Sequence, residues 1–99
     1  MNRMASTINE ISIDYEEEDI LIVKELDRVV LSKGAWTTII FKYQQWERAK
    51  ESYSADKYTI RRYRKMNNEY RPQSKFNISS KDQAAKIVGA LQKWTEESE

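Results

Sequence analysis

The chain has 99 residues and a net charge of +1, from 17 lysine and arginine residues against 16 aspartate and glutamate residues, with no cysteine and no histidine. That length suits one domain, close to the size at which burial alone becomes marginal and a second copy is a natural way to complete a core. Without cysteine there are neither disulfides nor thiolate-bound metal, and without histidine the commonest general base is missing, so the composition speaks against an enzyme and no metal or cofactor is expected.

The small net charge conceals a segregation. Residues 1–27 carry 2 basic and 8 acidic side chains, residues 28–95 carry 15 basic and 5 acidic, and the end adds Glu96, Glu97 and Glu99. A basic body between acidic ends points to a polyanionic partner. Apolar runs such as Ile20 to Val23 and Ile39 to Phe41 are too short to span a bilayer, and the acidic start lacks the basic and apolar regions of a secretory signal. No membrane association is expected, and an intracellular location, cytoplasmic or nucleoid-associated, is.

In chain order, residues 1–19 are polar and acidic, with Glu16, Glu17, Glu18 and Asp19 in succession, and read as a flexible tail. The sheet-plus-helix domain is expected over residues 20–95, with 96–99 as an acidic end. Ile20 to Val23 and Leu26 to Leu31 are β-rich, as two short strands or one interrupted strand, and Lys33 with Gly34 supplies a turn. Ala35 to Trp46, dense in threonine, isoleucine and aromatics, is the strongest strand. Alternation puts Thr37, Ile39, Phe41 and Tyr43 on one face, and Trp36, Thr38, Ile40, Lys42, Gln44 and Trp46 on the other, so both faces meet something. Glu47 to Asp56 is turn-like, or begins with a short helix from Trp46 to Glu51. Lys57 to Met66 is the next strand, Asn67 and Asn68 form a tight reversal, and a last strand returns from Glu69 with Pro72 restricting it to an edge. Ser80 caps a final helix with Gln83 completing a capping box, and Ala84, Ile87, Val88, Leu91 and Trp94 form an apolar stripe expected to cover the sheet. Gly89 lies off that stripe. The expected fold is α+β: a curved antiparallel four-stranded sheet followed by one C-terminal helix, ββββα, paired as a homodimer.

Seven basic residues lie between Lys57 and Lys75 (Lys57, Arg61, Arg62, Arg64, Lys65, Arg71, Lys75), with Glu69 the one acidic residue. Alternation groups Thr59, Arg61, Tyr63 and Lys65 on a face expected to point outward, with Ile60 turned toward the helix. In the returning strand Phe76 and Ile78 are expected inward, and Lys75 and Asn77 outward. Cations for phosphates and aromatic rings for unstacked bases are what a single strand requires. Trp36 and Trp46 either extend that platform or form dimer core. Like charges crowded onto one hairpin repel unless a polyanion relieves them.

Ile60, Arg61, Arg62 and Tyr63, then a short turn, Glu69, Tyr70, Arg71 and Pro72, then Lys75 and Ile78 entering the helix, give this half of the chain a pattern that resembles the positive cofactor four family of transcriptional coactivators and single-stranded DNA-binding proteins. The resemblance implies four strands and a C-terminal helix, homodimers paired through helices and sheets, and a grip on single strands along two curved sheets. It places Arg61, Tyr63, Arg71 and Lys75 on binding positions. This chain has Arg64 where the family has an aromatic residue after the tyrosine, a hairpin turn one residue shorter, and a longer connection from Glu47 to Asp56.

Together these readings make the expected partner single-stranded DNA or RNA, bound with little sequence preference, with transcription or replication proteins as further partners. Arg61, Arg64, Lys65, Arg71 and Lys75 are expected to neutralise phosphates, Tyr63 and Trp36 to stack on bases, and Lys42 to add a contact. The other class is an interaction adaptor whose basic face meets an acidic protein. A third expectation is that the acidic N-terminus folds over the basic face and competes with nucleic acid.

Overall fold

A computed structural model describes residues 5–97 of the chain. One turn of 3-10 helix, Ile8–Glu10, leads into β1 (Tyr15–Glu17), β2 (Ile20–Ser32), β3 (Trp36–Glu47), β4 (Ser52–Tyr53), β5 (Lys57–Met66), β6 (Glu69–Ile78) and α1 (Lys81–Glu97). The strands make one curled antiparallel sheet in the order β1-β2-β3-β5-β6, with β4 paired to the end of β3. The α+β class and the single terminal helix are as expected; six strands replace four.

Local chemistry accounts for the extra elements. Glu18 and Asp19 both adopt left-handed conformations, φ 53° and 66°, which is what a two-residue hairpin turn needs, so the acidic run is the tip of a β1–β2 hairpin. Arg48 holds that tip, 2.8 Å from Glu17 and 3.7 Å from Glu18. The two β-rich stretches join into one strand, β2, whose pairing with β3 shifts register between Glu25 and Asp27 and again between Val30 and Ser32. In the connection after β3, Glu51 turns at φ 50° and the chain returns as β4, where Tyr53 packs edge-on against Trp46 at 5.1 Å. The Asn67–Asn68 reversal forms as read, with φ 52° and 62°.

Residues 5–14 are no flexible tail. They begin at the outer rim of β6, where the Tyr70 amide donates to the Ala5 carbonyl, and run across one face of the sheet to β1. Ala5, Ile11 and Ile13 are buried there with Ile39, Phe41, Tyr63 and Tyr70, and this cluster is the main hydrophobic core. The tail expectation fails because the short apolar side chains of the segment, spaced too irregularly to register as an element, complete a face the sheet leaves open. Residues 1–4 and 98–99 lie outside the described residues.

The helix departs from expectation in the opposite direction. Its cap is as read, with the Gln83 amide donating to Ser80 Oγ at 3.0 Å and the Ser79 amide donating to the Gln83 side chain at 2.7 Å. Yet α1 buries none of its residues, meets the sheet chiefly at β6, and leaves Val88, Leu91 and Trp94 exposed. The molecule is 17 Å through its thinnest dimension, and among the described residues no second layer covers the face of the sheet opposite residues 5–14.

Candidate nucleic-acid interface

The two faces of the sheet have different fates. On the strap face, named for the segment that crosses it, pairing aligns Thr37 with Tyr63, Ile39 with Arg61 and Phe41 with Thr59, and then Thr59 with Asn77 and Arg61 with Lys75. On the other face, called the helix face because the α1 stripe is expected to cover it, Trp36 aligns with Arg64 and Arg71, Thr38 with Arg62 and Ser74, and Ile40 with Ile60 and Phe76. Gln73 is the extra residue of a bulge that keeps these alignments in step.

Arg28 explains why the strap stays down. Its guanidinium donates to the carbonyls of Ile8 and Ile11, pairs with Glu25 at 2.7 Å, and lies 5.2 Å from the Phe41 ring centre. Glu25 in turn accepts from Ser12 Oγ and the Ile13 amide, and its own amide donates to Asp14. This arginine had a signal in the sequence, a lone cation at a core-facing position of a β-rich run, but nothing there pointed to its partner.

The eight candidate residues divide between the faces. Arg61, Tyr63, Lys65 and Lys75 lie on the strap face; Trp36, Lys42, Arg64 and Arg71 lie on the helix face. Tyr63 is 5% exposed, beneath the strap, so its assignment as a base-stacking ring is corrected: the ring is core. Burial pushes its phenol above the ordinary range, opposed by the nearby Arg61 and Arg28 charges. Trp36 is partly exposed with the Arg62 and Arg64 guanidinium groups 4.3 and 5.1 Å from its ring centre. Trp46 is held by Tyr53, whose hydroxyl donates to the Leu21 carbonyl. Lys42 is half-buried opposite Asp27, and Arg71 lies 3.4 Å from Glu69. Lys65 sits over the Tyr70 ring at 5.3 Å. Phe76, expected inward, is 54% exposed, because the helix that should cover it does not reach it.

What remains open on the strap face is the corner beyond the strap, formed by Lys57, Arg61, Lys75 and Asn77. Arg61 Nε donates to Thr59 Oγ1 at 3.3 Å, and that hydroxyl lies 2.7 Å from Asn77 Oδ1, which orients the row. Arg61 and Lys75 face each other directly across the ladder, a placement that destabilises a sheet. Among the described residues no carboxylate pairs with Lys57, Arg61, Lys65 or Lys75; of the seven basic residues from Lys57 to Lys75, only Arg71 has an ion-pair partner. Along β5, Lys57, Arg61 and Lys65 recur every four residues, about 13 Å apart at strand rise.

No cluster of metal-ligating side chains exists among the described residues, and no helix of the described chain is long and apolar enough to cross a membrane. Compared with models of protein families, with curated proteins and with solved structures, the chain finds no match.

Proposed function

We propose that this chain binds single-stranded nucleic acid, DNA or RNA, through phosphate contacts on the open corner of the strap face, with little reading of bases. The observation that carries it is the Arg61–Lys75 pair: two cations opposed across one ladder with no carboxylate beside them among the described residues. Such a pair is a standing electrostatic cost that a polyanion removes. Arginine offers a phosphate two parallel donors, and Thr59 holds the half-buried Arg61 side chain beside Asn77.

A single strand suits this corner better than a duplex. The corner presents neither a helix nor a projecting ribbon to enter a groove, whereas a flexible strand can follow a curled surface. With Tyr63 under the strap, no exposed ring lies among these cations, so binding rests on charge and falls with salt.

The test is fluorescence anisotropy with a labelled oligothymidylate and a labelled duplex of equal length, at low and physiological salt. The combined Arg61→Glu and Lys75→Glu exchange should weaken single-strand binding and flatten the salt dependence by about 1.4 in logarithmic slope, two phosphate contacts at ~0.7 each. Wild-type affinity in the exchanged protein, or no binding by the unmodified protein at low salt, removes the reading.

A further inference from the structure

We infer that the cleft between the strap and the turn end of the sheet is a second anion site, built for a nucleotide that carries a phosphomonoester. It encloses about 450 Å³, within the ordinary range of small-ligand sites. Thr7, Ile8 and Asn9 line it from the strap, Lys33 and Lys65 from the exposed end of the sheet, and the more buried Val30 and Tyr70 from beneath.

Both walls are fixed by hydrogen bonds before any ligand arrives. On the strap side the Ile8 carbonyl accepts from Arg28, the Ser6 and Thr7 amides donate to the Glu10 carboxylate, and the Tyr70 amide donates to the Ala5 carbonyl. On the sheet side the Lys65 amide donates to the Ala35 carbonyl at 2.7 Å and Thr37 Oγ1 donates to the Gly34 carbonyl at 3.0 Å. These bonds tie the turn that carries Lys33 to the strand that carries Lys65. Gly34 lies at φ 131°, which a residue with a Cβ rarely adopts, so the shape of that turn depends on it.

The polar groups of the cleft are unspent. Neither Lys33 nor Lys65 has a carboxylate partner among the described residues. Tyr70 is only 9% exposed, yet its hydroxyl makes no hydrogen bond among them. Two ammonium groups answer the charge of a phosphomonoester, about −1.5 to −2 at neutral pH, better than the single charge of an internal phosphodiester. Ile8, Val30 and the Tyr70 ring give the sugar and base an apolar bed.

The place of the cleft on the strap face names the source of such a group. Lys65 follows Arg61 by four residues on β5, about 13 Å at strand rise, and Tyr63 between them lies beneath the strap. An internal stretch of a strand held at Arg61 and Lys75 would have to cross the strap, descend into the cleft and leave again past the Ala5–Tyr70 bridge. A phosphorylated end has only to descend. A free nucleotide offers the same chemistry; the strand end rests on the function proposed above, and the free nucleotide does not.

Two measurements on the full chain separate these sources. Equilibrium dialysis with thymidine 5′-monophosphate reads the free nucleotide, and competition anisotropy among oligothymidylates bearing a 5′-phosphate, a 3′-phosphate or neither reads the strand end. One of the phosphorylated strands should bind roughly three- to tenfold tighter than the bare one, the effect expected of two exposed ion pairs. Retention of the mononucleotide without that preference assigns the cleft to the free ligand. Lys33→Gln and, separately, Asn9→Asp, both at exposed positions, should abolish whichever signal is found while circular dichroism stays unchanged. Equal affinity for all three strands together with no retained mononucleotide overturns the inference, as does a signal that both substitutions leave intact. Equal binding of all three strands leaves the proposed function standing, whereas mononucleotide binding with no strand bound at low salt removes that function and leaves the cleft.

Discussion

Tyr63 shows how a side chain's role depends on what lies above it. Its position in the strand and its basic neighbours mark it in the sequence as an outward aromatic, and the strand alternation is as read. What covers it comes from fifty or more residues earlier in the chain. Burial also gives the residue a pH signature. Since the folded phenol titrates above its ordinary value near 10, folding favours the neutral form. The contribution is fully present below pH ~10 and is lost as pH rises through the unfolded and then the folded value. Tyr63→Phe should therefore flatten the loss of stability as pH rises past the ordinary phenol value near 10 in denaturant titrations; an unchanged pH profile would mean the phenol reaches water.

At the scale of elements, the strap and the helix exchanged the roles expected of them. The strap is core: Ile11→Ala should destabilise the protein by about 2–5 kcal/mol in chemical unfolding, the usual range for emptying a buried isoleucine site. Deleting residues 1–19 would take Ala5, Ile11, Ile13 and β1 away together, so loss of fold, and not tighter nucleic-acid binding, is the expected result. Within α1, Gly89 has open space around the place a Cβ would occupy and lies opposite the apolar stripe. Gly89→Ala should raise stability by about 1 kcal/mol, and a loss instead would place that side of the helix against a neighbour.

For the whole molecule, the strands and turns that local chemistry dictates were legible: β3, β5, β6, the two-asparagine turn and the helix cap all follow from residue type and period. The β1 hairpin was not, because four acidic residues in a row mask a turn that needs only two of them to adopt positive φ. The basic hairpin was legible as a cluster but not as two clusters. Alternation alone separates Arg61 from Arg64, yet only the strap and the Trp36 contacts show that these faces look out on different surroundings. The helix stripe could be read as apolar, but its expected cover of the sheet did not form, because α1 meets the sheet chiefly at β6 and leaves Val88, Leu91 and Trp94 exposed.

The outer rim of β6 carries a further consequence. Past the Ala5–Tyr70 bridge its backbone has no neighbouring strand among the described residues, so the molecule offers an unzipped seam to any extended polypeptide. Pro72 deletes one amide from that seam, the Gln73 bulge buckles it, and Lys75 charges it. Replacing these three with flat, neutral, strand-forming residues would be a route to fibrils, with no change to any buried group.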